Sequence, residues 1–482
     1  MSEKIQVVVQ LNKSKRVIRF EYQTGLPFFA CLSQKLSTEG IPFSLCAGKG
    51  ICGKCKIRFI KGIPLPCNAE RGLLTAKELR EGVRLACMAK PVRDCEIELL
   101  FEQDMTVITE FNAGEGKSDS CINATTEILM TADLGTTTIA MAAVDMATGD
   151  VVQTYSCINP QVVYGADVIA RISAAKDLGA DKLQSLTIDA LISGVKYLTD
   201  GIAGKQIICD KPVYVAANTT MSHFLAGSDG VKLGEAPFRP EFLDSKTIEA
   251  EGCKFTLLPG VSAFVGGDIV AGMLSCNMIS LEEDGGRLQL QRGVLLIDLG
   301  TNGEMALCNG EKIYCTAAAA GPAFEGKNTL KHGSHNVNIL AELLKTGQMD
   351  STGFLHKHSE ELTQQEIRNL QMAKAAVRTG IDVLLKRAGM TANDVKKVCL
   401  AGGFGYYILV EAAVTIGLIP AEFEPVTISV GNASLHGAAL YAHIIQSGYM
   451  ETLEQFIRKK CIPVNLAEEE YFLENYINNM DF

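Results

Sequence analysis

The stretch EILMTADLGTTTIAMAAVDMATGDVVQTYS, residues 127–156, determines the fold of most of the chain. It predicts a strand that ends near Asp133, a Gly-Thr turn, a second strand, a turn at ATGD and a third strand. The stretch RGVLLIDLGTNGEMALCNGEKIYCT, residues 292–316, repeats this order, with Asp298 before its own Gly-Thr turn. We interpret the two stretches as an internal repeat of one supersecondary unit, because a solenoid would repeat at a much shorter interval.

Helical patterns lie between and after the two units. In QQEIRNLQMAKAAVRTGIDVLLKRAG, residues 364–389, apolar side chains recur at helical spacing and Gly389 ends the pattern. Strands and helices mixed on this scale predict an α/β multidomain architecture.

The chain divides into regions of different character. Residues 1–100 predict short strands around one helix near LPFFACLSQKL, and the polar residues 101–126 predict a linker. We therefore expect an N-terminal domain at 1–100, a first lobe at 127–290 and a second lobe at 291–482.

Composition limits the class of protein. Of 482 residues, 47% are hydrophobic and 21% are charged, which is enough apolar material for several cores. No apolar run reaches the roughly 18 residues of a membrane span, and the N-terminus lacks the apolar block of a signal peptide. We expect a cytoplasmic protein with neither membrane nor nucleic acid as a partner. Sixteen cysteines in a reducing compartment indicate that some bind metal.

Charge is distributed unevenly along the chain. Residues 1–100 contain 17 Lys and Arg against 9 Asp and Glu, a net of +8, whereas the rest of the chain carries −18. Opposite signs predict two functional units with different partners.

Three cysteines share one Gly-rich loop, CAGKGICGKCKIRF, which begins at Cys46. Glycine lets the backbone fold tightly around a metal centre, so the spacing Cys46-x5-Cys52-x2-Cys55 predicts three thiolate ligands. For the fourth ligand we choose Cys87 in RLACMAKP, with Cys67 and Cys95 as competitors. Iron–sulfur is favoured, and a structural zinc site is the rival. The same loop matches G-x-x-x-x-G-K, but Cys55 stands where a phosphate loop needs Ser or Thr, so we reject an ATP site here.

The two Gly-Thr turns predict a better nucleotide site. Backbone N–H groups and hydroxyls of such turns can bind phosphates, while Asp133 and Asp298 can hold Mg²⁺. Further along, Leu400-Ala-Gly-Gly-Phe-Gly405 follows a predicted strand and could pass close beneath an adenosine ring.

These motifs resemble two known families. The cysteine spacing with a distant RLAC is similar to the [2Fe-2S] ferredoxins of the adrenodoxin and plant group, which have a β-grasp fold. The order of the three Gly turns resembles the phosphate-1, phosphate-2 and adenosine motifs of the acetate and sugar kinase, Hsp70 and actin (ASKHA) superfamily, in which ATP binds between two lobes.

Further stretches narrow the resemblance. NPQVVYGADVIARIS (159–173), ANTTMSHFLAG (217–227), LPGVSAFVGGDIVAGML (258–274) and AAGPAFEGK (319–327) are similar to the reductive activators of corrinoid proteins. Two departures follow from this likeness. The chain is short for the family, so we expect it to lack the middle domain, and AANTT replaces a more usual Gly-Asn-Thr, so no role is assigned to Asn218.

The resemblance implies a function: an ATP-dependent oxidoreductase that returns the Co(II) of a corrinoid protein in a methyltransferase system to Co(I). It implies a [2Fe-2S] cluster, ATP and Mg²⁺ as cofactors. The implied partners are the corrinoid protein and a low-potential ferredoxin- or flavodoxin-type electron donor, with a homodimer as the candidate assembly. The alternative is an ASKHA-type ATPase or kinase whose iron–sulfur domain is a redox sensor.

The resemblance also implies residue roles. Asp133, Asp298, Glu304 and Asp268 are the catalytic candidates; for the last two, a strand-end carboxylate and a helix cap are the alternatives. The candidates for contact with nucleotide are Gly135, Thr136, Thr137, Thr138, Gly300, Thr301, Asn302, Gly303, Gly402, Gly403, Phe404 and Gly405. His223 and His436 lie in apolar stretches and are expected to be core residues.

Overall fold

The computed structural model describes residues 4–11, 16–38, 55–100, 127–165, 167–201, 212–282, 287–300, 302–321, 333–356, 359 and 361–482. The predicted linker at 101–126 lies outside these ranges, as do Cys46, Cys52 and Thr301.

The N-terminal region forms a five-stranded sheet with the order β2-β1-β5-β3-β4. Its strands are β1 (Lys4–Leu11), β2 (Arg16–Gln23), β3 (Lys56–Lys61), β4 (Val83–Leu85) and β5 (Cys95–Leu99), and its helices are α1 (Phe28–Thr38), α2 (Asn68–Leu73) and α3 (Ala76–Arg80). The β1–β5 pair is parallel and the other pairs are antiparallel, as expected for a β-grasp sheet. Apolar side chains alternate on these strands, and their buried members form one core with α1.

The first large unit is a six-stranded sheet with the order β10-β11-β9-β6-β7-β8. Its strands are β6 (Ile128–Leu134), β7 (Thr138–Asp145), β8 (Val151–Ile158), β9 (Val213–Ala217), β10 (Lys246–Ala250) and β11 (Cys253–Leu257). Its helices are α4 (Val168–Leu178), α5 (Ala180–Gly201), α6 (Thr219–Leu225), α7 (Val231–Gly234) and α8 (Gly267–Ser275).

The second large unit has the sheet order β18-β17-β14-β15-β16-β19, and it is preceded by the small pair β12 (Ile279–Leu281) and β13 (Leu288–Leu290). Its strands are β14 (Val294–Leu299), β15 (Gly303–Cys308), β16 (Ile313–Ala318), β17 (Lys397–Ala401), β18 (Thr427–Gly431) and β19 (Cys461–Pro463). Its helices are α9 (Gly333–Lys345), α10 (Gln364–Ala388), α11 (Gly402–Gly405), α12 (Val410–Thr415), α13 (Ala433–Ile444), α14 (Met450–Lys460) and α15 (Phe472–Asn478).

The predicted internal repeat is confirmed by the strand pairing. In the first unit β6, β7 and β8 form an antiparallel meander, and β9 joins β6 in parallel. In the second unit β14, β15 and β16 form the same meander, and β17 joins β14 in parallel. Both Asp turns therefore lie at the same place in their units, between the first and second strands.

Two helices, α8 and α13, lie between the sheets and join them. Their buried side chains share one apolar core with residues of both sheets, including Leu129 of β6 and Leu296 of β14. The helices approach almost backbone to backbone, since a Cβ placed on Gly437 would lie 1.8 Å from the carbonyl oxygen of Ala271. This contact requires glycine and fixes how the two units face each other.

No helix within the described residues is long and apolar enough to cross a membrane.

Candidate functional site

The four catalytic candidates lie close enough together for their charges to interact. Asp133 is the next-to-last residue of β6, and Asp298 holds the equivalent position in β14. Glu304 pairs with Asp298 across the β14–β15 ladder. Asp268 lies in the first turn of α8, where its carboxylate accepts a hydrogen bond from the Ile269 N–H at 2.8 Å. The structure therefore brings together one carboxylate from each turn, one from a facing strand and one from the helix between the sheets.

Burial makes these carboxylates hard to ionise. Burial, followed by the like charges of Asp268 and Asp133, raises the pKa of Asp298 to about 7. Burial raises the pKa of Asp268 to about 7, with Asp133 as the neighbour that adds to the rise. The pKa of Glu304 is raised well above its usual range by burial and then by Asp268 and Asp298. A site that concentrates negative charge in this way is suited to a cation, which would stabilise the ionised forms.

Asn432 connects Asp133 to the second unit. Its amide nitrogen donates a hydrogen bond to Asp133 Oδ2 at 2.9 Å, while its oxygen accepts from the Leu435 N–H at 2.7 Å and so caps α13. Burial raises the pKa of Asp133 to about 6, and the hydrogen bond from Asn432 opposes that rise. No local pattern in the sequence predicts this contact, because the two residues are 299 positions apart.

The first Gly-Thr turn, Gly135 to Thr138, is held from behind through its oxygens. The Gly135 N–H closes the turn on the Thr138 carbonyl at 2.9 Å, and Asn159 binds two more carbonyls: its side chain donates to Gly135 and its N–H donates to Thr137. The amide of Asn218 donates to Thr136 Oγ1 at 3.0 Å.

These bonds leave part of the turn open. The N–H groups of Thr136 and Thr137 have no acceptor in the part of the chain that the structure describes. Successive free N–H groups in a turn form a concave site for an anion. Asn218, for which the sequence analysis predicts no role, therefore supports the turn through its side chain. Asn159 supports it as well; its motif NPQ is evident in the sequence, but its contact with the turn is not.

The second turn is closed by a tighter bond, which spans two residues where the bond of the first turn spans three. The Gly300 N–H donates to the Asn302 carbonyl at 3.0 Å, and the Asn302 side chain bonds to Glu304. A Cβ on Gly303 would lie 2.8 Å from Val377 of α10, so this turn packs tightly on the helix behind it. The predicted phosphate contact at Thr301 lies outside the described residues.

The Gly-rich segment after β17 lies against Asp298. Gly402 has φ +81°, and a Cβ there would lie 2.4 Å from Asp298 Oδ1 and 2.6 Å from the Leu299 carbonyl oxygen. Gly403 is exposed with open space around its Cβ position, while Phe404 is buried in the core of the second unit. Glycine at 402 is thus required by the Asp298 turn. Gly403 is the member of the segment with room for a ligand.

The structure describes two of the four predicted cluster ligands, Cys55 and Cys87. Cys55 and Cys87 bring their Sγ atoms to 3.2 Å, and the Cys87 N–H donates to Cys55 Sγ at 3.5 Å. The β3–β4 pairing produces this contact, because Cys55 directly precedes β3 and Cys87 follows β4 by two residues.

The competing fourth ligands are placed differently. Cys95 begins β5 beside Gly62, at the far end of β3 from Cys55. At about 3.3 Å per residue, the length of β3 puts it roughly 20 Å away. Cys67 is the N-cap residue of α2, and its N–H donates to Glu70 Oε2 at 2.8 Å. The geometry favours Cys87 as the partner of Cys55.

The groups fit the implied cofactors in different ways. Two converging thiols, of which Cys87 is partly exposed, suit a metal centre completed by the loop that holds Cys46 and Cys52. Among the described residues, no group of three or more His, Cys, Asp or Glu is arranged to hold a metal ion by itself. Mg²⁺ binds proteins through one or two carboxylates and completes its shell with water and phosphate oxygens, so the chemistry of Asp133 and Asp298 fits it.

His223 is a buried residue, as the sequence predicts, whereas His436 is only partly buried. His223 is fully buried; its Nδ1 lies 2.7 Å from the Thr219 carbonyl oxygen, and its Nε2 accepts from the Glu241 N–H. His436 lies on α13 and bonds to Ser275 of α8 at 2.9 Å. Burial lowers the pKa of His436 to about 4, so it is neutral at physiological pH.

Comparison with known proteins places the chain in a family. Residues 129–280 match the RACo middle region, and residues 292–338 and 354–482 match the C-terminal domain of RACo, the ASKHA domain. The expectation that the middle region is missing is therefore wrong. The stretch at 127–156 closely repeats the strand-turn-strand order of the second unit. The repeat therefore predicts a lobe of the ATPase at this place, and no residues remain for a middle region.

Individual relatives agree with this assignment. The corrinoid activation enzyme RamQ of Eubacterium limosum is 27% identical over 428 residues, which cover 73% of this chain and 69% of that protein. The [Co(II) methylated amine-specific corrinoid protein] reductase of Methanosarcina barkeri is 22% identical over 243 residues, 38% of this chain and 43% of that protein. The solved reductive activator for corrinoid, iron-sulfur protein has the same fold over 99% of this chain and 98% of its own, with a TM-score of 0.61 at 21% identity. The chain is therefore a homologue of the corrinoid-activating enzymes and carries the RACo middle region followed by the RACo C-terminal ASKHA domain.

Proposed function

We propose that the chain is an ATP-dependent reductive activator, which returns Co(II) in a corrinoid protein of a methyltransferase system to Co(I). The observation that carries the proposal is the joint presence of a converging thiol pair, Cys55 and Cys87, and of two matched Asp turns whose carboxylates, Asp133 and Asp298, lie close enough to interact. The names of its relatives in Eubacterium limosum and Methanosarcina barkeri, which refer to corrinoid activation and to a Co(II) corrinoid protein, support the substrate class.

The nucleotide site assigns a task to each carboxylate. Asp133 and Asp298 hold Mg²⁺ on the phosphate chain, because each ends a strand directly before a phosphate-binding turn. A carboxylate with a pKa near 7, such as Asp268, can accept a proton from the attacking water at neutral pH. Hydrolysis then gives ADP, phosphate and a proton, with Thr136 and Thr137 donating N–H groups to the phosphates. Gly403 leaves space for the adenosine.

The N-terminal domain has the task of electron delivery. Cys46, Cys52, Cys55 and Cys87 hold the [2Fe-2S] cluster, which supplies one-electron transfer when bound. The donor, of ferredoxin or flavodoxin type, loses one electron and the cobalt of the partner gains it. About 59 mV of adverse potential lowers the yield tenfold, so a large gap requires an energetic input. ATP supplies it by binding unequally to two states of the complex with the corrinoid protein.

Cell location and assembly belong to the same proposal. None of the twelve cysteines in the described residues forms a disulfide, which is expected of a reducing cytoplasm. A homodimer remains a prediction that sedimentation would test.

The experiment is anaerobic. Purified protein, a low-potential reductant, Mg-ATP and a Co(II) corrinoid protein are mixed, and formation of Co(I) is followed by absorbance. We expect Co(I) only with ATP, and we expect Asp298→Asn to lower its rate by at least about tenfold, as for loss of a charged group that binds the transition state. The control is Asp189→Asn, which removes an exposed carboxylate of α5.

Two results would contradict the proposal. ATP-independent formation of Co(I) would remove the ATPase from the reaction. ATP hydrolysis that follows the oxidation state of the thiol centre, without any Co(I), would favour the redox-sensing ATPase instead. For the cluster itself, Cys87→Ser should abolish the native visible spectrum while Cys67→Ser should retain it; the reverse result would show that Cys67 is the ligand.

A further inference from the structure

Arg171 is a fully buried cation with no carboxylate partner among the described residues. It lies on α4, has 0% exposure, and has no ion pair with any residue that the structure describes. The acidic residue whose charge acts on the Arg171 pKa is Asp167, whose carboxylate accepts from the Ala170 N–H at 2.8 Å and caps the helix. A buried charge of this kind costs several kcal/mol of desolvation unless other groups compensate it.

The guanidinium is compensated by neutral acceptors. Nε donates to the Gly165 carbonyl at 2.9 Å, Nη1 approaches Gln161 Oε1 at 3.3 Å and Met221 Sδ at 3.4 Å, and Nη2 donates to the carbonyl of Thr136. The contact with Thr136 places Arg171 directly behind the first Gly-Thr turn. All four acceptors are neutral, so they accept hydrogen bonds from the guanidinium without neutralising its positive charge.

A second layer of residues fixes this geometry. The Gln161 side chain is fully buried and donates Nε2 to the Leu183 carbonyl at 2.9 Å and to Thr187 Oγ1 at 2.7 Å. Its oxygen is therefore directed to Arg171. Gly165 must be glycine, since a Cβ there would lie 2.6 Å from the Ala170 Cβ. The surrounding residues thus hold the Arg171 guanidinium in one defined position.

The charge of Arg171 and the orientation of the turn's N–H groups both favour an anion on the far side of the turn from Arg171. Burial lowers the pKa of Arg171 to about 9, so the guanidinium is still protonated at neutral pH. Arg171 binds the carbonyl of Thr136 and Asn159 binds the carbonyl of Gly135, so the N–H groups of the same two trans peptide units, those of Thr137 and Thr136, point to the opposite side. An anion bound there would be attracted both by those N–H dipoles and by the positive charge of Arg171 behind them.

We propose that Arg171 is a positioning residue for the phosphate chain of the nucleotide: it fixes the Thr136 carbonyl and places a buried positive charge behind the turn, with the bound phosphates as its counter-ion. This inference rests on the proposed nucleotide site. It adds that Arg171, without touching the nucleotide, makes the affinity of the site increase with the negative charge of the ligand.

The test compares nucleotide affinity in Arg171→Met, Arg171→Lys and the wild type by calorimetry or competition with ATP, ADP and adenosine. The control is Lys176→Met, which removes an exposed cation of the same helix. Arg171→Met is expected to weaken ATP about tenfold or more, ADP less and adenosine less than about twofold, because only the charged ligands lose an electrostatic partner. Arg171→Lys keeps the charge but not the contacts of the guanidinium with its four acceptors, so it should weaken ATP binding by a smaller factor. Lys176→Met should leave all three affinities unchanged.

The failures are distinguishable. Wild-type protein that binds none of the three ligands would overturn the nucleotide site and this inference together. Wild-type protein that binds ATP, with variants that lose ATP and adenosine by the same factor, would leave the nucleotide site standing and reduce Arg171 to a structural residue. If Arg171→Met does not fold, the ratio of ATP to adenosine affinity in Arg171→Lys decides by the same criterion.

Discussion

At the scale of single residues, the site is built from groups that repel one another. Asp298 and Glu304 face each other across adjacent strands, where like charges destabilise a sheet. The protein tolerates this because the raised pKa values let protons neutralise part of the cluster when no cation is bound. A bound Mg²⁺ would replace those protons.

This arrangement predicts how stability depends on pH in the metal-free protein. The pKa of Asp298 is about 7 when folded, whereas an unfolded aspartate ionises near pH 4. Between those values the folded state holds the extra proton, so the free energy of unfolding decreases as pH rises. Asp298→Asn removes this loss, and between pH 5 and pH 8 it should gain about 2 kcal/mol relative to wild type. Urea-denaturation midpoints measured with a chelator across this range check the prediction.

The exposed Asp189→Asn serves as the control, because its stability relative to wild type should not change over the same range. A constant difference between Asp298→Asn and wild type from pH 5 to pH 8 would show that Asp298 ionises normally in the folded protein.

The sequence predicted the residues of the site whose signal is local. Asp133 and Asp298 could be found because each directly precedes a Gly-Thr turn. The residues that hold those groups in place, such as Asn432 and Arg171, could not be found. Their contacts join positions 299 and 35 residues apart, and nothing in the local pattern of an Asn or Arg records such a partner.

At the scale of elements, the contact between α8 and α13 is the tightest constraint. The expected result for Gly437→Ala is a loss of about 3 kcal/mol in the free energy of unfolding, because the new methyl group overlaps the Ala271 carbonyl and both helices are held in one core. Chemical denaturation measures it. Nucleotide affinity should fall as well, since the helices position Asp268 and Asn432.

Gly72→Ala is the matched control for this substitution. Gly72 also lies within a helix, α2, but a Cβ there would meet nothing within 4 Å. It should be neutral or slightly stabilising, as alanine favours helix. If Gly437→Ala were equally neutral, the two helices would have to be farther apart than the structure places them.

Elements differ in how well the sequence predicted them. The helix α10 was predicted because its apolar residues repeat on one face and Gly389, with φ +64°, ends it. The helices α8 and α13 carried no such stripe, because they are covered by protein on nearly all sides and are apolar or small-residue almost throughout. A pattern without a polar face marks burial and does not reveal what lies on either side.

At the scale of the whole molecule, the opposite charges of its parts predict how it meets an electron donor. In the described part of the N-terminal domain, Lys56, Arg58 and Lys61 pair with glutamates, whereas Lys90 is exposed three residues after Cys87 with no ion-pair partner among the described residues. Lys90→Glu should slow reduction by an acidic donor several-fold at low salt, with the difference disappearing near 0.5 M salt, roughly where screening acts within a few ångströms. Stopped-flow reduction rates measure this.

The control for this experiment is Lys182→Glu, an exposed charge reversal on α5 of the first unit. Equal effects of the two substitutions, or an effect of Lys90→Glu that salt does not change, would contradict a docking surface beside the thiol pair.

The sequence predicted the large-scale organisation from two signals, the cysteine loop and the repeated Asp turn, and the β-grasp and ASKHA-type folds are confirmed. The error about the middle region has a physical origin. Strand order identifies a unit that packs as one, whereas the boundary of a family region reflects common ancestry. The first repeat is such a packing unit and also lies in the RACo middle region. The proposed boundaries at residues 100, 126 and 290 stay predictions.

The α8–α13 junction has a consequence for synthesis on the ribosome. The inner face of the first sheet, with Leu129 and Ala140, is covered in part by α13, which is encoded about 300 residues later. At translation rates of roughly 5–20 residues per second, that face waits tens of seconds for its covering helix. During that interval the nascent chain exposes apolar strands that can pair with other chains. The binding of a chaperone to ribosome-bound intermediates should therefore end when α13 leaves the exit tunnel.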